Sequence, residues 1–213
     1  MHKGWTDEQM AKRVAQELPD GAVVNLGIGL PVQVANHIPE GKRVFFHSEN
    51  GIIGMGPSPE PGSEDPDIVN AGKKPVTLIP GASIVHHADS FSLIRGGRLG
   101  YSILGGLQVA SSGDIANWKV PNQKGGGGVG GAMDLAVGAQ NVFVMMRHND
   151  KSGAPKLVAD CAYPLTAVKA ISLVFTEFGV FECAGDHFIA RELAPGVTQE
   201  DVVAATGTTV KFA

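Results

Sequence analysis

The chain has 213 residues, of which 43% are hydrophobic and 18% charged. This length predicts a single domain over residues 1–213 built around one core. Its longest apolar runs are far shorter than the roughly 20 residues of a membrane-spanning helix. The net charge of −4 is spread without blocks of like charge. Membrane and nucleic acid are therefore not expected as partners.

Two features bear on the cellular compartment and on metals. The first residues, Met1 to Trp5, lack the apolar core of a secretory signal. Cys161 and Cys183 have no metal-ligand spacing and form no disulfide framework. We therefore expect a cytoplasmic protein without a bound metal.

The first elements alternate between helix and strand. Thr6-Asp7-Glu8-Gln9 has the form of a capping box, and apolar residues follow at intervals of four, which predicts a helix that ends before Pro19. Residues 22–26 predict a buried strand, which Gly27-Ile28-Gly29 ends. Pro31 then marks the first residue of a helix through His37.

A polar segment follows the second predicted strand directly. This strand covers residues 44–46, and His47-Ser48-Glu49-Asn50-Gly51 comes next. Residues 54–66 are rich in proline and acidic side chains and lack apolar periodicity, which predicts a long surface loop.

The rest of the chain continues the alternation. Further strands are predicted at residues 76–79, 101–104, 142–146, 173–175 and 180–183, with a hairpin at 108–118. Helices are predicted at residues 90–95, at 132–139 and from Thr198 to a stop at Gly207.

This order of elements predicts an α/β fold with an open, mostly parallel sheet, helices on both faces and some antiparallel hairpin late in the chain. In such sheets, the ligand crevice lies at the carboxyl ends of the strands. Gly27-Ile28-Gly29 and Ser48-Glu49-Asn50-Gly51 are both expected there. Glycine, with 29 residues, has about twice its average share and occurs in clusters, which suggests backbone that approaches a ligand.

Glu49 is the candidate catalytic residue. A carboxylate that ends a strand, between Ser48 and Asn50 and with Gly51 behind it, can meet a substrate. On spacing alone, a structural carboxylate that accepts bonds from nearby backbone amides is an alternative.

Residues 46–54 resemble the Ser-Glu-Asn-Gly signature of the B-type chain of family I coenzyme A transferases, the succinyl-CoA:3-oxoacid and 3-oxoadipate enzymes. The likeness continues in order along nearly the whole chain, through segments that begin at Asn25, Asn70, Gly113, Gly130 and Tyr163. It implies an open α/β sheet, Glu49 as the nucleophile, coenzyme A as a substrate without any other cofactor, and a separate A-type CoA-transferase chain that completes the crevice.

A carboxylate suits this chemistry. Attack by Glu49 on an acyl-CoA thioester gives a mixed anhydride and CoA thiolate, which then attacks the glutamyl carbonyl to leave glutamyl-CoA. Each tetrahedral step develops an oxyanion that needs preorganised donors. Backbone amides of Gly29, Gly130 and Gly131 are candidates.

Other residues are candidates for binding CoA or the acyl substrate. Gly27-Ile28-Gly29 precedes a proline-started helix whose free amides favour negative charge, although it can equally be a packing turn. Lys73 is similar to the family's lysine that contacts CoA; without the resemblance, it reads as a solvated side chain. Ser48, Asn50 and Gly51 flank Glu49. The run of residues 125–128 is either a flexible connector or a loop that closes over CoA.

Two histidines and two arginines are candidates for substrate specificity. The segment with His86 and His87 is similar to that of the 3-oxoadipate enzymes, so these histidines, or Arg95 or Arg98, are candidates for receiving the distal carboxylate of a dicarboxylic substrate. Structural histidines are the alternative. A metal site is not expected, because adjacent side chains diverge and no third ligand is suitably spaced. Arg98 and Gly100 stand where the family usually has His and Asp, which changes whatever those groups arrange.

The sequence thus predicts transfer of CoA from an acyl-CoA, with succinyl-CoA as donor, to 3-oxoadipate or acetoacetate. Two alternatives remain: an acyl-CoA hydrolase that uses the same Glu49, and a noncatalytic CoA-binding subunit.

Overall fold

The computed structural model describes residues 3–121 and 127–213. Its helices are α1 (Asp7–Glu17), α2 (His87–Arg95), α3 (Ala132–Gly138) and α4 (Gln199–Ala205), with a 3₁₀ helix at Leu30–His37. Its strands are β1 (Ala22–Leu26), β2 (Val44–Ser48), β3 (Ile52–Met55), β4 (Leu78–Ile84), β5 (Tyr101–Leu104), β6 (Gln108–Ala110), β7 (Ile115–Ala116), β8 (Asn141–Met145), β9 (Leu157–Val158), β10 (Leu173–Thr176), β11 (Gly179–Cys183), β12 (Phe188–Leu193) and β13 (Val210–Phe212).

Ten of these strands form one sheet in the order β13-β12-β11-β10-β8-β5-β1-β2-β3-β4, and β7-β6-β9 form a small second sheet. The five central strands, from β10 to β2, are parallel. The antiparallel pair β10-β11 confirms that an antiparallel hairpin is added to the sheet late in the chain. The sequence did not predict β3, which pairs antiparallel with both β2 and β4 at the opposite edge.

The direction of winding reverses beside β1. The chain passes from β1 to β2 on one side and later adds β5, β8 and β10 on the other. Because parallel crossovers are right-handed, the 3₁₀ helix and α3 lie on opposite faces of the sheet. Helix α1 packs with the 3₁₀ helix, and α2 packs with α3. The point where the winding reverses lies between β1 and β5, and a ligand crevice is expected there.

The predicted helices form, with shifted boundaries. Thr6 and Gln9 make the reciprocal capping bonds that begin α1, at 2.9 and 3.2 Å. Helix α2 begins earlier than predicted because the His86 Nδ1 accepts the amide of Ala88 at 3.2 Å and caps the helix. The helix expected from Pro31 is a 3₁₀ helix that begins one residue earlier.

The sheet resumes two residues later than predicted after the proline-rich loop. The backbone amides of Val76 and Thr77 donate to the carbonyls of Ile68 and Pro57, and β4 begins only at Leu78. Within the described residues, no helix is long and apolar enough to cross a membrane.

Candidate active site

Glu49 lies in the three-residue loop of a hairpin between β2 and β3. Ser48 and Ile52 are partners across the strands, and the Gly51 amide donates to the Ser48 carbonyl at 2.9 Å. Gly51 has a φ of +123°, and a β-carbon there would lie 3.3 Å from the Val85 carbonyl carbon and closer still to its oxygen. A side chain does not fit at this position. The hairpin therefore holds Glu49 at the carboxyl edge of the parallel strands.

A cleft of about 430 Å³ opens beside Glu49 where the winding of the sheet reverses. Its walls come from the carboxyl ends of β1 and β5, the β2-β3 hairpin, the start of α3 and the segment around Trp118. The predicted residues that line it are Gly27, Ser48, Glu49, Gly130 and Gly131. The fold thus brings together residues that are more than 80 positions apart in the sequence.

The Glu49 carboxyl packs against the backbone of Gly131, the residue that precedes α3. A β-carbon at Gly131 would lie 2.9 Å from the Glu49 Cδ and 3.0 Å from the Phe91 Cζ. Glycine at this position therefore leaves room for the carboxylate between α2 and α3.

Three influences set the charge state of Glu49, which is half-buried. Burial raises the pKa of Glu49, the positive charge of His87 lowers it, and the negative charge of Asp134 raises it; the net direction is upward. Asp134 is itself paired with Arg95, whose Nε lies 2.6 Å from its Oδ1. A raised pKa makes the Glu49 carboxylate more basic than an exposed glutamate.

Two neighbours of Glu49 in the sequence hold the hairpin against the segment from Val69 to Ala71. The Ser48 Oγ accepts the amide of Ala71 at 2.8 Å, and the Asn50 Nδ2 donates to the Val69 carbonyl at 2.8 Å. Asn50 and Gly51 do not line the cleft. Their visible contribution is to the shape of the hairpin.

A chain of buried polar side chains lies beneath the cleft. Asn25 bonds to His47, and His47 bonds to Ser90, with all three side chains inaccessible to solvent or nearly so. Sequence reasoning did not select Asn25 or Ser90 as site residues. The available signal was a single polar residue inside the apolar run of β1.

The remaining predicted residues lie outside the cleft. Lys73 is exposed and has a φ of +60°, and Gly29 lines an adjoining cavity of about 380 Å³ together with Lys74. His87 is exposed and acts on Glu49 through space, whereas the ring of His86 caps α2. Arg98 lies before β5, at the end of that strand remote from the cleft.

The glycine run 125–128 is only partly described. Residues 125 and 126 lie outside the described residues, so the structure does not test the prediction for this run as a whole. Gly128 lines the cleft, and Gly127 lies against the Trp118 carbonyl. Within residues 3–121 and 127–213, no three His, Cys, Asp or Glu side chains cluster as a metal site requires.

The fold and the cleft are those of an α/β enzyme with its site where the winding of a parallel sheet reverses. The chain belongs to the coenzyme A transferase family, because residues 7–205 match the family model described as Coenzyme A transferase. This match confirms the family resemblance of residues 46–54.

Relatives with known names are similar over nearly their whole length. The chain is 48% identical to the B-type chain of the 3-oxoadipate CoA-transferase of Pseudomonas putida, over 93% of both chains. It is 46% identical to the B-type chain of a probable succinyl-CoA:3-ketoacid coenzyme A transferase of Bacillus subtilis, over 93% of this chain and 92% of the relative. The prediction of a CoA-transferase chain of the B type is confirmed.

Solved structures share the fold. Glutaconate coenzyme A-transferase from Acidaminococcus fermentans matches with a TM-score of 0.69 and 17% identity, over 99% of this chain and 88% of that one. An acyl-CoA transferase apoenzyme from Escherichia coli O157:H7 matches with a TM-score of 0.76 and 19% identity, over 98% of this chain. This chain spans 42% of that longer polypeptide. The predicted α/β fold is confirmed.

Proposed function

We propose that the protein is the glutamate-bearing subunit of an enzyme that transfers CoA from succinyl-CoA to a short 3-oxo acid, either 3-oxoadipate or acetoacetate. The observation that carries the proposal is the position of Glu49, half-buried against Gly131 and open to the cleft. The names of the relatives at 46–48% identity support the substrate class.

The first half of the reaction loads CoA onto the enzyme. The Glu49 carboxylate attacks the thioester carbonyl of the donor, and the tetrahedral intermediate expels CoA thiolate to leave a mixed anhydride. The thiolate then attacks the glutamyl carbonyl and releases the donor acid as a carboxylate. The product of this half-reaction is a glutamyl-CoA thioester on Glu49.

The second half repeats these steps in reverse with the acceptor. The carboxylate of the 3-oxo acid attacks the glutamyl-CoA carbonyl and expels thiolate, which then attacks the acyl carbonyl of the new anhydride. Glu49 is regenerated as a carboxylate, and no net proton is gained or lost. The exchange is of the ping-pong type, because the donor acid leaves before the acceptor reacts.

Backbone amides are the proposed donors to the developing oxyanions. Gly130 and Gly131 line the cleft, and the contact between Gly131 and the Glu49 carboxyl supports their role at this carbonyl. Gly29 lines the adjoining cavity and is a more distant candidate.

Lys73 is proposed to bind a phosphate of CoA as an exposed point charge. It lies two residues after Ala71, whose amide the Ser48 Oγ holds against the hairpin. Lys73→Ala is expected to raise the KM for acyl-CoA and to leave kcat nearly unchanged. Lys151→Ala, also exposed, is the matched control, and an unchanged KM in Lys73→Ala would remove this role.

For the acyl acceptor, His87 is the favoured partner of a distal carboxylate. It acts on Glu49 through space, whereas His86 uses its ring to cap α2 and Arg98 lies beyond the other end of that helix. The ratio of kcat/KM for 3-oxoadipate to that for acetoacetate should therefore fall in His87→Ala. An unchanged ratio would assign specificity elsewhere.

A separate A-type CoA-transferase chain is the proposed partner. The relatives are named as B-type chains, and this chain spans less than half of a single-chain acyl-CoA transferase. A second subunit is expected to cover the cleft and exclude water from the thioester. We place the complex in the cytoplasm, in keeping with the two free cysteines.

The decisive experiment uses the co-purified two-subunit complex. Treatment with succinyl-CoA should add the mass of CoA, less water, to this chain, and borohydride should then reduce Glu49 alone. Glu49→Ala should give neither result. Thioester loss without an acceptor acid would instead indicate a hydrolase, and CoA binding without an adduct would indicate a noncatalytic subunit.

A further inference from the structure

Three buried side chains connect β1, β2 and α2 directly beneath the cleft. Asn25 and His47 are each 3% exposed, and Ser90 is fully buried. The Asn25 Nδ2 lies 3.1 Å from both the His47 Nδ1 and the His47 carbonyl oxygen. The His47 Nε2 lies 2.8 Å from the Ser90 Oγ.

These bonds admit a single arrangement of protons. A carbonyl oxygen can only accept, so the amide nitrogen of Asn25 must face His47. The His47 Nδ1 therefore accepts the second N–H of Asn25, and the ring proton lies on Nε2, where it donates to Ser90. Burial lowers the pKa of His47 to about 4, so the ring is neutral at physiological pH.

The first consequence concerns the floor of the cleft. Both N–H groups of Asn25 are taken by His47, whereas its Oδ1 has no hydrogen-bond partner among the described residues. Asn25 also lines the cleft, and its Oδ1 is not a fully buried atom without a partner. The side chain therefore offers an acceptor, and not a donor, to a bound substrate.

The second consequence concerns α2. Ser90 lies on this helix, so its bond to His47 ties α2 to the strand that ends at Ser48, next to Glu49. The same helix carries Phe91, which lies against Gly131, and His87, which packs on Phe91 with ring centres 4.8 Å apart. One buried bond thus joins the strand before the nucleophile to the helix that flanks the nucleophile.

We infer that His47 and Ser90 are positioning residues for the transfer reaction. They fix the Asn25 carboxamide with its acceptor toward the cleft, and they hold α2 at the spacing at which Phe91 and His87 flank Glu49. The inference rests on the proposed function. A neutral histidine suits this place because its ring accepts a hydrogen bond on one side and donates one on the other.

Kinetics of the two-subunit complex test the inference. His47→Leu should lower kcat and kcat/KM for thioester exchange together by about 10²-fold, the loss that follows a misplacement of about 1 Å. His47→Gln, which can both accept and donate, should recover about a factor of ten. Ser90→Ala should reduce the rate less, and adding it to His47→Leu should cost nothing more, because the two act as a unit.

His148 provides the matched control for lost burial and lost hydrogen bonds. It is fully buried, its pKa is also lowered to about 4, and its ring bonds to Thr176 and Thr206. It does not line the cleft. His148→Leu should lose a comparable amount of thermal stability and keep kcat/KM within about threefold. Equal kinetic losses in the two leucine variants would overturn the inference.

A measurement without turnover separates this inference from the proposed function. In the full chain labelled with ¹⁵N-histidine, His47 should remain the neutral Nε2–H tautomer across neutral pH. An Nδ1–H tautomer, or protonation near the ordinary histidine pKa, would overturn the inference even if wild type forms glutamyl-CoA. Failure of wild type to form that adduct would instead refute the proposed function.

Discussion

Glu49 and Gly131 are in direct contact, although they lie 82 positions apart in the chain. Glu49 lies at the tip of the β2-β3 hairpin, and Gly131 immediately precedes α3. The space that a side chain would take at residue 131 is the space that the carboxyl occupies.

Replacing this glycine should misplace Glu49, the proposed nucleophile. In Gly131→Ala, the new methyl group overlaps the Glu49 carboxyl, and kcat/KM of the two-subunit complex should fall by about 10²-fold. Gly207→Ala is the control, because its β-carbon would also meet other atoms closely, at 3.2–3.3 Å, but Gly207 does not line the cleft. Equal kinetic losses in both variants would show that crowding alone, and not the displacement of Glu49, lowers activity.

The acid limb of the pH–rate profile should report Glu49. In the proposed reaction only the carboxylate of Glu49 attacks, so kcat/KM should fall as pH drops through the pKa of Glu49, which burial raises. His87→Asn removes a positive charge that lowers this pKa, and the acid limb should therefore move to higher pH. Asp134→Asn removes a negative charge and should move it to lower pH. Shifts in the same direction would contradict this electrostatic account.

The buried charge of Glu49 should cost stability at neutral pH. A carboxyl whose pKa is raised on folding binds more protons in the folded state, so the free energy of unfolding decreases as pH rises through that pKa. Glu49→Gln removes the charge and should raise Tm by about 2 °C at neutral pH, with a smaller gain in acid. A lower Tm at neutral pH would show that the carboxylate is stabilised by its surroundings.

The buried histidines should make the fold sensitive to acid. Burial lowers the pKa of His148 to about 4, and the pKa of His47 likewise, so the unfolded chain binds more protons below the ordinary histidine pKa. The free energy of unfolding should therefore decrease as the pH is lowered from about 6.5 to about 4. In His148→Leu, the difference between the Tm at the two ends of this pH range should be smaller than in the wild type. An unchanged difference would assign the acid sensitivity to other groups.

Local patterns in the sequence predict much of the fold. The capping box at Thr6 begins a helix through bonds between residues three apart, and the apolar run after it forms β1 as predicted. Strand β3 was missed because it is four residues long and contains Gly54. Strand β12 was missed because Arg191 and Glu192 interrupt its apolar pattern.

The candidate site likewise contains residues that the sequence identifies and residues that it does not. The segment around Glu49 was recognisable because its signature is contiguous, whereas Asn25, His47 and Ser90 are 22 and 43 residues apart. From the sequence, His87 and Arg98 are equal candidates for binding the distal carboxylate of a substrate. They differ in the structure because α2 lies between them and separates them along its length.

The sequence by itself determined the class of fold and the family, and it pointed to Glu49 as the proposed nucleophile, since these depend on periodicity and on short contiguous motifs. The tertiary structure decided which backbone surrounds that acid, which charges act on its pKa and which way the Asn25 amide faces. Contacts of this kind join residues that are distant in the chain. They are fixed only when packing brings β1, β2, α2 and α3 to one edge of the sheet.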